Sequence, residues 1–388
     1  MKKFLKGIPM KLWAILCALV LLTFFSNDFG LVDIQKTALV LAAGIDRNDN
    51  EFTLTAQIAV PKGTDRTTGG TSGVEIEGTG TTVSDCLADL YGKTGWVPKL
   101  IFCDLVVLGE TVVAEDAFDC LDYFLRNEYV PDSCLLATCE GSAKDLLSST
   151  SAIDDTSALA LEKLFSDAAT KSGQVMTTTL REFAIGYFGE SRSGYMPYVR
   201  AQTQEGSDQG QGGAQSSGGT AQPSQEEKIY SARETAIFSG GRMAALLSPE
   251  ETFAFSLLEG NVYAGTFTTD GKTYVILKNG GSVSVRAEDA PEISLEATCK
   301  VQVYGESETA SPQTLAKGML TPEEEQHVSQ VLTDYLTQLW DTCAQADCDL
   351  LFFRRSLRRS SPEAYGKWKD LPLSSVSAQI EVRAESLR

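Results

Sequence analysis

Thr37-Ala38-Leu39-Val40-Leu41-Ala42-Ala43-Gly44-Ile45-Asp46 is an apolar run closed by an acid. After Arg47-Asn48-Asp49-Asn50 comes Glu51-Phe52-Thr53-Leu54-Thr55-Ala56-Gln57-Ile58-Ala59-Val60, in which apolar and polar residues alternate. The first reads as a buried strand and the second as its half-buried partner. The Asp/Asn-rich connection makes the pair a hairpin. Working outward, residues 62–82 are rich in Gly and Thr and read as a mobile loop. A helix is predicted at 83–93 and a strand at 99–109. Next come an amphipathic helix at 111–127, with Val113, Ala117, Cys120, Leu121, Phe124 and Leu125 facing inward, and a strand at 133–139. Helical patterns at 142–148, 155–170 and 178–188 follow. Strands mixed with helices in this way predict an α+β class with a mixed sheet.

Residues 201–228 hold mainly Gly, Gln and Ser, with no aromatic and no large aliphatic side chain. Such a stretch cannot bury enough surface to offset chain entropy, so it reads as a disordered linker. It divides the chain into an N-terminal domain at 29–200 and a C-terminal domain at 229–388. The second part opens with a hairpin (235–238 and 243–247). Ser248-Pro249-Glu250-Glu251 then carries the signature of a helix start. Strands are predicted at 263–269, 273–278, 282–286, 293–304 and 374–383. The strongest helix is 322–344, where Thr321, Pro322 and Glu324 form the start. Val328, Val331, Leu332, Tyr335, Leu336, Leu339 and Trp340 form one apolar stripe.

The N-terminus is different in kind. Lys2, Lys3, Lys6 and Lys11 precede the apolar run Leu12–Phe25, and residues 1–25 contain no acid. That is the order of an export segment, with the lysines on the cytoplasmic side. The exit Thr23-Phe24-Phe25-Ser26-Asn27-Asp28 lacks small residues in an Ala-x-Ala arrangement. Residues 1–28 therefore read as a retained membrane anchor in preference to a cleaved signal. The net charge of the chain is −19, from 33 Lys+Arg against 52 Asp+Glu. The acid excess lies beyond the anchor, and it argues against nucleic acid as a partner.

Chemistry-bearing motifs are few. One histidine, His327, excludes any multi-histidine metal site within the chain. It falls just beside the apolar stripe and near Glu323, Glu324 and Glu325, which reads as a solvated face. The acids at 46–50 resemble the start of a calcium loop. However, Glu51 stands where the turn glycine belongs and Gln57 where the bidentate glutamate belongs, so a plain turn is expected. Gly92-Lys93-Thr94 lacks the earlier glycine of a phosphate loop, because position 87 is Leu, and it ends a helix where a phosphate loop would begin one. No Gly-x-Ser-x-Gly elbow occurs. Arg354, Arg355, Arg358 and Arg359 form a basic run that could receive an acidic partner or a lipid head group, or simply remain in solvent. Of nine cysteines, Cys17 lies in the apolar run. The other eight, without any C-x-x-C, read mostly as buried thiols. No catalytic, cofactor-binding or metal-binding residue is assigned.

The order of these segments resembles the Ger(x)C family, the C subunit of spore germinant receptors. The resemblance runs over about residues 30–388. It is carried by Gly44-Ile45-Asp46 before Val60-Pro61, Glu77-Gly78-Thr79-Gly80-Thr81, the 99–109 segment and Phe124-Leu125-Arg126. In the second part it is carried by Ala236-Ile237-Phe238, Glu250-Glu251-Thr252, Asp347, Asp349, Phe352-Phe353, Pro362 and Trp368. One departure stands out. Where the family carries a Gly-Cys-Trp-type lipidation site, this chain has Ser26-Asn27-Asp28-Phe29, so a retained helix would do the anchoring. The resemblance implies a non-enzymatic protein on the outer face of the spore inner membrane, associated with the A and B membrane subunits and required for nutrient-triggered germination. A membrane-anchored extracytoplasmic protein that itself binds a small nutrient is the alternative, and it requires a pocket with converging polar groups between the two parts.

Overall fold

The computed structural model describes residues 13, 15–20, 37–61, 71–149, 151, 154, 156–203, 228–287, 290–306 and 319–386. Most of the anchor segment 1–28 and nearly all of the 201–228 linker lie outside these residues, as does 62–70.

The opening hairpin is present: β1 (Thr37–Asn48) and β2 (Glu51–Pro61) pair antiparallel, with Asn48 opposite Glu51. Asp49 takes a left-handed φ of 52° in the two-residue turn, a conformation that Asp and Asn tolerate. β3 (Thr71–Gly80) pairs with β2, so ten residues read as loop form a strand. The glycines that suggested a loop are there for close packing. A Cβ on Gly78 would stand 2.0 Å from the Cys86 carbonyl, and one on Gly80 2.4 Å from Asp85 Cβ. Both contacts belong to α1 (Val83–Thr94), which lies on the strand.

The expected strand 99–109 is two pieces. β4 (Val97–Lys99) and β5 (Leu105–Leu108) are separated by a turn in which the Cys103 amide donates to the Leu100 carbonyl. The expected helix 111–127 is also broken, into α2 (Glu110–Val113) and α3 (Phe118–Arg126). β6 (Leu135–Cys139) and α4 (Ala143–Leu147) follow. The 155–170 pattern divides into α5 (Ser157–Leu164) and α6 (Asp167–Lys171). After β7 (Thr178–Thr179) and α7 (Leu180–Phe188) comes β8 (Ser193–Thr203), an unforeseen strand that contains Pro197.

β9 (Lys228–Ser239) and β10 (Arg242–Leu247) form a hairpin, but they pair with β8 and complete the first sheet. The ten-stranded sheet runs β10-β9-β8-β6-β5-β1-β2-β3, with β4 against β1 and β7 against β6. The boundary read at 201–228 is therefore not a boundary between sheets. β1, β5, β6 and β8 are mutually parallel and both faces are covered. One face packs Leu90, Leu121, Phe124 and Phe183 from α1, α3 and α7. The other packs Ala143, Leu147, Ala158 and Leu161 from α4 and α5.

The second sheet has four strands: β11 (Gly265–Thr269), β12 (Lys272–Ala287), β13 (Pro291–Glu306) and β14 (Ser377–Ser386), the last parallel to β13. β12 runs unbroken through Asn279-Gly280-Gly281, where a turn was expected. A Cβ on Gly281 would lie 1.9 Å from the Leu258 carbonyl, so this glycine also serves close packing. α8 (Pro249–Leu258) is buried all round between the two sheets and starts with the expected Ser248/Glu251 capping box. α9 (Pro322–Gln345) has the expected Thr321/Glu324 box and buries Val328, Leu332, Leu336, Leu339 and Trp340 on the second sheet. α10 (Phe353–Ser360) and α11 (Pro362–Trp368) close the fold.

Candidate functional site: a cleft beside the arginine helix

A cleft of about 420 Å³ lies where α7, β8, α8 and the start of α10 meet. Small residues create it. A Cβ on Gly186 would sit 2.1 Å from the Ser193 carbonyl, and one on Gly194 would sit 2.7 Å from the Phe183 ring. Glycines there let α7 lie directly on β8. Phe183, Ile185, Phe255 and Phe352 form apolar walls, and Glu182, Tyr195, Glu259 and Arg355 supply polar groups. Tyr195 meets Phe255 edge to face at 5.0 Å. Burial, then the charges of Glu182 and Glu259, push the Tyr195 hydroxyl well above its usual range. The surrounding protein likewise pushes the Glu259 carboxyl upward. Arg355 stands over the Phe352 ring at 5.7 Å. The chemistry on offer is recognition: apolar walls that carry two carboxylates, a phenol and a guanidinium.

The arginine run divides by role. Arg354 turns inward. It donates to the carbonyls of Lys369 (2.9 Å) and Leu371 (3.4 Å) and pairs with Asp347 at 3.5 Å. Asp349, 2% exposed, accepts from the backbone amides of Phe353 (2.6 Å) and Arg354 (2.9 Å) and so caps α10. Its backbone carbonyl accepts from Ser193 Oγ at 2.7 Å, which ties the capping loop to β8. Burial pushes the Asp349 carboxyl up, against the pull of the two amides and of the Arg354 guanidinium. Arg358 pairs with Glu190. The carboxyl of Glu190 is held low first by its own amide and then by that guanidinium. Arg355, Arg358 and Arg359 all face outward.

The other sequence candidates lie elsewhere. His327 Nε2 is 3.1 Å from Asp270 Oδ2 in the β11–β12 turn, and Lys272 Nζ is 2.8 Å from Glu324 beside it. Both contacts fasten the start of α9 to that turn. In Gly92-Lys93-Thr94, Lys93 pairs with Asp89 and Thr94 Oγ1 donates to the Leu90 carbonyl. Among the described residues no group of three or more His, Cys, Asp or Glu could hold a metal. Cys86, Cys103, Cys120, Cys134, Cys139, Cys299, Cys343 and Cys348 are buried free thiols. Burial pushes Cys86 up to about 11 and Cys120 up to about 12, so neither is a nucleophile at neutral pH.

Gly44-Ile45-Asp46 has a structural explanation. Asp46 accepts from Ser142 Oγ (3.0 Å) and from the amides of Ala143 and Lys144 (2.9 Å each), so a strand residue caps α4. Gly44 admits the helix: a Cβ there would be 2.9 Å from Leu147 Cδ1. Gly109 admits the carboxylate: a Cβ there would be 2.0 Å from Asp46 Oδ1. The purpose of the motif is hidden in the sequence, because the partners of Asp46 lie 96–98 positions away.

Residues 31–201 match the family described as spore germination protein N-terminal domain. Residues 233–386 match the one described as spore germination B3/GerAC like, C-terminal. The chain belongs to the Ger(x)C family. A solved structure titled "Crystal Structure of the GerBC protein" is similar at 16% identity and a TM-score of 0.47, covering 89% of this chain and 97% of that chain. No curated protein is significantly similar to the chain.

Proposed function

We propose that the chain is the C subunit of a nutrient germinant receptor. It works without catalysis, at the outer face of the spore inner membrane, through contacts with the A and B membrane subunits. Residues 1–28 hold it there as a retained anchor, and the parts 29–200 and 229–388, connected through 201–228, work as one body through the sheet they share. The family match over both segments carries the reading. Among the described residues no helix is long and apolar enough to cross a membrane. Of the apolar run, residues 13 and 15–20 are described, as exposed helix, and the spanning role rests on the sequence of Leu12–Phe25. Arg355, Arg358 and Arg359, outward-facing in a chain of net charge −19, supply a positive docking face.

The test is co-purification of the full chain with the two membrane subunits. Arg355→Glu with Arg359→Glu is expected to lower recovery of the subunits while leaving the melting temperature unchanged. Recovery equal to wild type refutes the arginine face as the contact. Normal nutrient response in spores lacking the gene refutes the receptor role. The cleft keeps the second reading in view, a small-nutrient binding site where α7 and β8 meet α8 and the start of α10. Calorimetry with amino acids and sugars decides it, with Tyr195→Phe and Glu259→Gln as controls for the site.

A further inference from the structure

The parallel strands β1, β5 and β6 all begin at one end of the large sheet. Asp46, Gly109 and Ser142 lie at the other end. The beginning end carries Leu39 of β1, Tyr91 of α1 and, in its loops, Trp96, Ile101, Phe102 and Tyr129, each with between 37% and 53% of its surface open. Pairing brings them together. Thr37 and Leu39 lie beside Val97 and Lys99. The Asp104 amide donates to the Leu41 carbonyl, and the Leu135 amide donates to the Asp104 carbonyl. Lys99 Nζ stands 5.2 Å from the Tyr129 ring centre. A shallow groove of about 390 Å³ runs between Tyr91, Val97 and Tyr129. Large exposed apolar side chains gathered on one end of a protein indicate a surface that something covers.

The chain itself indicates what covers it. β1 starts at Thr37, in the middle of this patch, and the apolar run ends at Phe25. The intervening residues 26–36 can span at most about 40 Å at ~3.5 Å per residue. A chain anchored through 12–25 therefore enters the body at this end of the sheet, with Thr37 within about 40 Å of the bilayer. Trp and Tyr mixed with Ile and Phe is the composition favoured at the lipid–water boundary, where an amphipathic ring places its polar edge in water and its body among acyl chains. Among the described residues the lysines in the cluster, Lys93 and Lys99, are engaged by Asp89 and by the Tyr129 ring. Contact with lipid thus draws on apolar insertion more than on head-group charge.

We propose that the Trp96/Ile101/Phe102/Tyr129 end of the large sheet lies in the interfacial layer of the membrane that carries the anchor, so that the body sits on the bilayer in one orientation. This inference rests on the anchoring proposed above. The test uses the full chain reconstituted into phosphatidylcholine vesicles with and without lipid bearing a head-group-level quencher. The difference between wild-type and Trp96→Phe emission isolates Trp96 from Trp13, Trp340 and Trp368. The expected result is a blue-shifted difference spectrum, quenched by the labelled lipid and shielded from aqueous acrylamide. The shift is lost in Ile101→Glu/Phe102→Glu, with circular dichroism unchanged. If the chain floats with the vesicles but Trp96 stays open to acrylamide, the lipid contact is refuted and the anchor stands. If it does not float, the anchor fails and this inference with it. Shielding of Trp96 that appears only after a membrane subunit is added makes the patch a protein interface and also overturns the proposal.

Discussion

Replacing Asp46 with Ala removes three hydrogen bonds at once. The two backbone amides of α4 lose their cap, which costs about 1–2 kcal/mol. The Ser142 hydroxyl loses its charged acceptor, which adds about 1 kcal/mol. The expected destabilisation is thus about 2–3 kcal/mol, read as a lower urea midpoint at unchanged slope. Gly109→Ala supplies a sharper check. Gly109 has φ −69°, which alanine adopts freely, so any penalty is steric. Its new Cβ would stand 2.0 Å from Asp46 Oδ1 and would expel the carboxylate. In the Asp46→Ala background that obstacle is gone, and the nearest remaining atom is the Ala143 nitrogen at 3.2 Å. The glycine penalty should then fall below about 1 kcal/mol, giving a coupling of about 1–2 kcal/mol in the double-mutant cycle. Urea unfolding of the full chain in detergent, followed by far-UV circular dichroism, measures all four variants. Additive penalties, or an Asp46→Ala effect under about 0.5 kcal/mol, would refute the latch.

Two further outcomes follow from the buried titratable groups. Burial raises the Asp349 carboxyl above its ordinary 3.8, so the folded chain keeps this proton to higher pH than the unfolded one. The associated stability is complete below 3.8 and is lost as pH rises through the folded value. Asp349→Asn cannot titrate, so the wild type's advantage over it should shrink with rising pH in urea titrations between about pH 3 and pH 7. An advantage that grows with pH refutes the sign. The eight buried thiols should react with a disulfide reagent only as fast as the chain unfolds, and the unreduced denatured chain should release nine thiols. Fast reaction of any of the eight in the native chain, or fewer than nine on denaturation, contradicts their packing.

Local signals in the sequence were accurate where the physics is local. Asp49-Asn50 set a two-residue turn. Ser248 and Thr321 capped the helices they open. The 328–340 stripe faced a core, because a 3.6-residue period leaves few alternatives. Glycine caused the main misreadings. Gly78, Gly80 and Gly281 read as breakers, yet each lies within a strand, because backbone from another element passes where a side chain would stand. Breaks inside apolar runs were equally hidden. Ile101 and Phe102 look like strand core in the sequence, but they lie exposed in the turn after β4. The cleft was foreseen only as a requirement of the small-ligand reading. Glu182, Tyr195, Glu259 and Arg355 come from four separate elements, and no spacing rule links them. The capping role of Asp349 was invisible for the same reason: a loop carboxylate and a helix start become partners only once the Phe352 turn, φ 55°, bends the chain back.

Because β9 and β10 complete a sheet begun by β1 to β8, the excursion between Thr203 and Lys228 begins and ends on one continuous sheet, at two residues that are register partners. Severing the backbone anywhere in that excursion would give two polypeptides still interwoven by the ladder between β8 and β9. The position is therefore a natural place to split the protein for fragment complementation. It also suits the insertion of a reporter for following the protein in living spores, since the β8–β9 ladder holds the two ends of the added length side by side.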